Sequence, residues 1–125
     1  MDKQFRFGVG LHPIRSAIEL AETARRLEGF GFDVLHVPDH LGAPAPFPVL
    51  VAAAAATSTI RVGTYVLNAG FYKPALLTRD IADTDVLSGG RLDVGLGAGY
   101  VGAEFEAAEL PFPSAGRRVD YLEHM

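Results

Sequence analysis

A chain of 125 residues holds at most one domain, long enough when compact to bury roughly two-thirds of its unfolded surface. Its net charge of −4 lacks the Lys and Arg excess that nucleic-acid phosphates require, and no basic cluster accompanies an amphipathic helix as a membrane-surface role would need. The absence of cysteine excludes disulfides, thiolate nucleophiles and Cys-ligated zinc. Met1–Phe5 lacks the apolar region of a signal peptide, and the longest apolar stretch, Pro48 to Ala56, is too short to span a bilayer, so a cytoplasmic location is expected.

Four short apolar runs read as strands: Phe5–Val9, Val34–Val37, Ile60–Val66 and Leu92–Leu96. After the first, Ser16-Ala17-Ile18-Glu19 forms a capping box. It opens a helix whose apolar stripe is Ala17, Leu20, Ala21, Ala24, Leu27 and Phe30, with Glu19, Glu22, Arg25, Arg26 and Glu28 toward water. Gly29 and Gly31 offer left-handed stops. Val34–Val37 is uniformly apolar, as buried parallel strands are. A loop with Pro44, Pro46 and Pro48 leads to a helix over Val49–Thr57, where five alanines suit close packing on a sheet. Leu41–Val51, with Phe47, reads either as an apolar pocket rim or as a rigid connector. Pro74 starts a third helix, with Leu77, Ile81, Val86 and Leu87 buried, and Ser88-Gly89-Gly90 ends it. Gly116 to Met125 opens a last helix with Arg117, Arg118 and Asp120 outward.

Strand starts recur about every thirty residues, the length of a βα unit, so the strands run parallel and their carboxyl ends share one side. Polar residues follow each run: His12, the Asp39-His40 pair, Asn68 and the Gly97-Ala98-Gly99-Tyr100 turn. That is where α/β enzymes place their chemistry. Gly8-Val9-Gly10-Leu11-His12-Pro13 does not fit the GxGxxG phosphate turn of an open dinucleotide-binding sheet. The pattern predicts an α/β fold, a partial (β/α)8 barrel of about four units spanning residues 1–125.

His40 carries an imidazole suited to donating a proton or steadying an anion, although Asp39-His40 also fits a plain loop cap. Gly97 and Gly99 allow close backbone approach to a ligand, or form an ordinary turn. His12 would face the barrel mouth and contact substrate, His36 reads as a satisfied wall residue, and His124 as solvated. Glu104 reads as a cap for the segment that follows it, and Arg117-Arg118 as a solvated helix face in preference to a phosphate clamp. No metal site is expected, because the four histidines are scattered and no His-x-x-x-His or carboxylate cluster appears.

Taken in order, several segments resemble the luciferase-like monooxygenase family of flavin- and deazaflavin-dependent barrel oxidoreductases. They are Gly31-Phe32-Asp33 to Val37-Pro38-Asp39-His40, Ala56 to Thr64, Pro74-Ala75-Leu76-Leu77, Asp85 to Leu92, and Gly95-Leu96-Gly97-Ala98-Gly99-Tyr100. Glu104-Phe105 and Gly116-Arg117-Arg118-Val119-Asp120 complete the set. The resemblance implies a small organic substrate, FMN or coenzyme F420 as cofactor, and hydride transfer or oxygen activation. It puts His40 at the reacting edge of the ring, with Asp39 fixing its tautomer or tying down the loop. Tyr65 and Val66 would lie beneath the ring, joined by a non-proline cis peptide or by an ordinary trans strand.

Gly97, Gly99 and Tyr100 would pass near the ring. Relatives that oxidise sugar phosphates carry an acid where Tyr100 stands, so tyrosine weighs against that substrate class. The family's cofactor phosphate is held by later strands, which four units do not supply. The expectation is therefore a partial chain of such an enzyme. The alternatives are a self-associating half-barrel that binds a cofactor, pairing as a homodimer, and a silent half-barrel that binds a full-length paralogue.

Overall fold

The computed structural model describes residues 5–11 and 13–125. Strands β1 (Gly8–Gly10), β2 (Val34–Val37), β3 (Arg61–Thr64) and β5 (Leu92–Asp93) lie side by side in that order, each pair parallel. A second parallel pair, β4 (Leu67–Asn68) and β6 (Leu96–Gly97), follows β3 and β5 along the chain. Helices α1 (Ala17–Gly29), α2 (Pro46–Ala56) and α3 (Pro74–Leu87) connect successive strands, and α4 (Gly102–Ala107) and α5 (Ala115–His124) follow β6. This is the parallel α/β arrangement of consecutive βα units that the sequence predicts. The third and fourth apolar runs, read as unbroken strands, are each interrupted.

Side-chain alternation explains the layering. Leu35, Val37, Val62 and Leu92 point to the helices and join Leu20 and Ala24 of α1 and Val49, Leu50, Ala53 and Ala54 of α2 in one core. His36, Gly63 and Asp93, aligned in register, take the opposite face. There Asp93 is held by Arg6 and Arg61; burial opposes its charge, but these two guanidinium groups prevail and keep its carboxyl below the usual range. Replacing a buried residue such as Leu50 by alanine removes about 2–5 kcal/mol from cores of this kind.

Three local expectations change. Helix α2 begins at Pro46, three residues before the predicted Val49, because prolines in the first turn forfeit no helical hydrogen bond. In α3 the inward stripe runs Leu77, Ile81, Thr84, Ser88, while Val86 and Leu87 face out. The buried hydroxyls are satisfied within the helix, Thr84 donating to the Asp80 carbonyl at 2.6 Å and Ser88 to that of Asp85 at 3.0 Å. Phe30, expected on the stripe of α1, lies past the helix end and is exposed. The capping box forms in part: Ser16 accepts from the Glu19 N–H at 3.1 Å, but Glu19 reaches back to Arg15 N–H at 2.8 Å.

The amino ends of the strands are tied by two charged residues. Glu28 Oε1 accepts from the N–H groups of Ser58 (2.8 Å), Thr59 (2.6 Å) and Ile60 (3.0 Å) and from the Thr59 hydroxyl (3.1 Å). Those bonds, Thr59 and Ile60 foremost, hold its carboxyl down to about 2. Arg91 caps the other side, donating to the carbonyls of Ala54 (2.7 Å), Ile60 (2.8 Å) and Ser88 (2.8 Å) and to the Thr57 hydroxyl (3.1 Å). At the end of α2 the Ala54 carbonyl thus meets the guanidinium of Arg91, and that of Ala56 the guanidinium of Arg25.

A carboxyl held below its unfolded value stabilises the fold above 4.5 and loses that contribution as the pH falls toward about 2. Glu28→Ala is expected to lower the thermal midpoint at pH 7 by a few degrees, the scale of roughly 1 kcal/mol once solvent screening is discounted. The gap from wild type should shrink steadily between pH 4.5 and 2, followed by circular dichroism melts.

Candidate functional site

Past Thr64 the third run cannot continue its ladder in register. The Thr64 hydroxyl accepts from Gly95 N–H at 2.9 Å and donates to the Gly95 carbonyl at 2.9 Å. The Tyr65–Val66 peptide is cis. Leu67 N–H then returns to the Gly95 carbonyl at 2.8 Å, and pairing resumes as Leu67 with Leu96 and Asn68 with Gly97. Tyr65, on the face of His36 and away from the helices, is 73% exposed, and Val66 39%. A Cβ at Gly97 would stand 2.6 Å from Val66 Cγ2, so the bulge and this glycine fit only together.

These residues form the floor of an open cleft of about 480 Å³ at the carboxyl ends of the strands. Asp39, His40, Tyr65, Val66, Gly97, Gly99 and Tyr100 all line it, as do Asn68 and Glu104. Every predicted site residue except His12 therefore meets in one place; His12 lies outside the described residues.

The polar groups divide their work. Asp39 Oδ2 accepts from the Asn68 N–H at 2.9 Å, tying the loop after β2 to the end of β4. Burial pushes the Asp39 carboxyl above its usual range, against the bonds from Asn68 and the Tyr72 hydroxyl that favour its charge. Tyr72 is pushed upward in turn, by its own burial and by the Asp39 charge. Asn68 Oδ1 accepts from the Gly70 N–H at 3.0 Å, closing the 3-10 turn Ala69–Phe71. His40 Nδ1 meets both carboxylate oxygens of Glu104, at 3.0 and 3.2 Å, and its ring stands edge-on to Tyr100 with centroids 6.1 Å apart. Between the two roles foreseen for Asp39, the loop tie is the one present, and the imidazole's partner is Glu104.

Glu104 is thus no cap for its own segment: its oxygens go to His40 and to the Leu41 N–H at 3.0 Å. Its neighbour Phe105, 1% exposed, anchors α4 between Phe71 and Phe112 at centroid distances of 5.3 and 5.0 Å. Arg118 also departs from expectation. Rather than facing water, it donates from Nε to the Gly99 carbonyl at 3.0 Å and from Nη1 to the Pro113 carbonyl, and its guanidinium lies 4.2 Å over the Phe112 ring. It holds the turn in which Gly99 adopts φ +75°, where a Cβ would collide with the Asn68 carboxamide. Arg117 and Asp120 are exposed as predicted.

His36 is not a satisfied wall residue. Its Nδ1 is buried with no hydrogen-bond partner among the described residues, and burial pushes its pKa down. It stands 5.5 Å from the Tyr65 ring across a second hollow of about 490 Å³.

Known proteins share this arrangement. A sequence model of the family described as luciferase-like monooxygenase matches residues 3–123. The chain is 34% identical over 107 residues to 5,10-methylenetetrahydromethanopterin reductase of Methanopyrus kandleri, covering 86% of this chain and 30% of that protein. The solved structure of the coenzyme F420-dependent tetrahydromethanopterin reductase from the same organism superposes with a TM-score of 0.77 at 32% identity, over 89% of this chain and 32% of that one. The oxygenase component of a flavin-dependent trigonelline monooxygenase from Acinetobacter baylyi is 37% identical over 71 residues, 57% of this chain and 20% of that protein. The chain spans about a third or less of the length of these relatives. With nearly its whole length matched and the strands and cleft in place, the chain belongs to the luciferase-like monooxygenase family.

Proposed function

We propose that the cleft receives the tricyclic ring of a deazaflavin or flavin, and that the chain forms the ring-binding part of an oxidoreductase acting on a small organic molecule. The observation that carries this reading is the convergence of His40, Tyr65–Val66 and Gly97–Tyr100 from three strand ends on one cleft. About 480 Å³ is in the range of pockets that hold such ligands. Tyr65 and Tyr100, 73% and 75% exposed, offer aromatic surface to a flat ring, and the Gly97–Gly99 backbone offers approach without side chains. No Lys or Arg lines the cleft among the described residues, so the phosphate of the cofactor tail would find its cations elsewhere.

When bound, the ring supplies hydride transfer or, in a flavin, reaction with oxygen. Tyr65 and Val66 would support the ring, and the turn held by Arg118 would keep Gly99 against it. His40 would stand beside the substrate with Nε2 free to donate or accept a proton, since Nδ1 is occupied. The F420-dependent reductase favours a deazaflavin, whereas a flavin takes its support from the flavin-dependent trigonelline monooxygenase. Tyr100, which replaces a carboxylate with a phenol, argues against sugar phosphates as substrates.

Titration with the tail-less deazaflavin chromophore, followed by its fluorescence, is expected to saturate below millimolar concentration. Gly99→Ala should weaken that binding at least tenfold, because the added Cβ displaces the Asn68 carboxamide or the turn. No saturable change with either a deazaflavin or a flavin chromophore overturns the reading. In an assembly that turns over, His40→Ala is expected to cost at least about tenfold in rate, a floor set below the roughly hundredfold that a positioned acid or base commonly provides; an unchanged rate removes its assigned role.

A further inference from the structure

We infer that Glu104 decides which nitrogen of His40 faces the cleft, and is therefore the positioning residue of the site; the inference rests on the role proposed for His40. A carboxylate can only accept hydrogen bonds. With its oxygens 3.0 and 3.2 Å from Nδ1, the proton of the neutral ring belongs on Nδ1, and Nε2 carries its lone pair toward the cleft. An unrestrained histidine side chain in water prefers the opposite tautomer, so the arrangement is imposed by the fold.

Three features make Glu104 the group that imposes it. Its Oε1 also accepts from the Leu41 N–H at 3.0 Å, so one carboxylate fixes both the imidazole and the backbone that follows it. The Glu104 side chain is 14% exposed against 43% for His40, which makes the acid the rigid member of the pair. The adjacent Phe105 is buried and pins α4 in place. Asp39, the neighbouring carboxylate in sequence, is committed to Asn68 N–H at 2.9 Å. Its contact with His40 is a through-space attraction, with no hydrogen bond to the ring among the described residues.

Long-range proton–nitrogen NMR on the full chain, labelled at histidine nitrogen and free of cofactor, reads the tautomer directly. Wild type is expected to show His40 protonated at Nδ1. Glu104→Leu removes both acceptors facing Nδ1 while keeping the bulk of the side chain, which moves the proton to Nε2. Glu104→Ala should give the same reversal; the Leu variant decides the matter if the Ala variant fails to fold. A wild-type proton on Nε2, or one that stays on Nδ1 in both variants, overturns the inference. Because the measurement needs no cofactor, a chain that binds no ring but reverses its tautomer loses the proposed function and keeps the positioning role. In a turning-over assembly Glu104→Leu should lower kcat about tenfold and leave KM within a factor of about two, whereas a merely structural role would move both.

Discussion

The site depends on a single substitution of one hydrogen-bond pattern for another. At Thr64 a side-chain hydroxyl replaces a backbone ladder pair, accepting from and donating to Gly95. That lets the chain leave the sheet for two residues with both backbone groups of Gly95 still paired, and the Gly95 carbonyl also takes the Leu67 N–H on re-entry. The register of β4 with β6 follows from it, and so does the placement of Asn68 between Asp39 and Gly99. A valine at position 64, of nearly the same shape, would leave the Gly95 N–H unpaired, while its carbonyl would keep only the Leu67 N–H.

The two ends of the strands carry opposite kinds of polar chemistry. At the amino end Glu28 and Arg91 spend their hydrogen-bonding capacity on backbone groups. At the carboxyl end Asp39, Asn68 and Arg118 do likewise, but each acts on a loop that borders the cleft, and His40 retains a ring nitrogen. Barrel enzymes divide stability and chemistry between their two faces in this way. Here the division is visible in which charged groups are saturated and which are not.

Much of this was legible from the amino acids. The alternation of short apolar runs with helical periods was enough to order the strands, since parallel neighbours joined by helices admit few arrangements. His40, Asn68 and the Gly97–Tyr100 turn could be located because each follows an apolar run, whereas Tyr65 and Val66 lie inside one and were placed at the site by the family resemblance. What could not be read were pairings between distant segments: Glu104 reaches His40 across 64 residues, and Arg118 reaches Gly99 from a helix that periodicity alone turns toward water. The one local signal for Glu104 was the aromatic beside it, since an acid next to a buried Phe105 points where the ring does not. The break at Tyr65–Val66 was legible only through the family resemblance, which offered a cis peptide at that bond beside an ordinary trans strand; the apolar run by itself gives no sign of where its hydrogen bonds are exchanged.

His36 and His40, four residues apart, show how little the residue type decides. Between them β2 ends and the chain leaves the sheet, so they face different surroundings. Among the described residues His36 Nδ1 is buried beside Gly63 with no hydrogen-bond partner, and burial works against its charged form. At His40 a carboxylate holds the proton on Nδ1. The same side chain thus meets backbone without a polar partner in one place and Glu104 in the other.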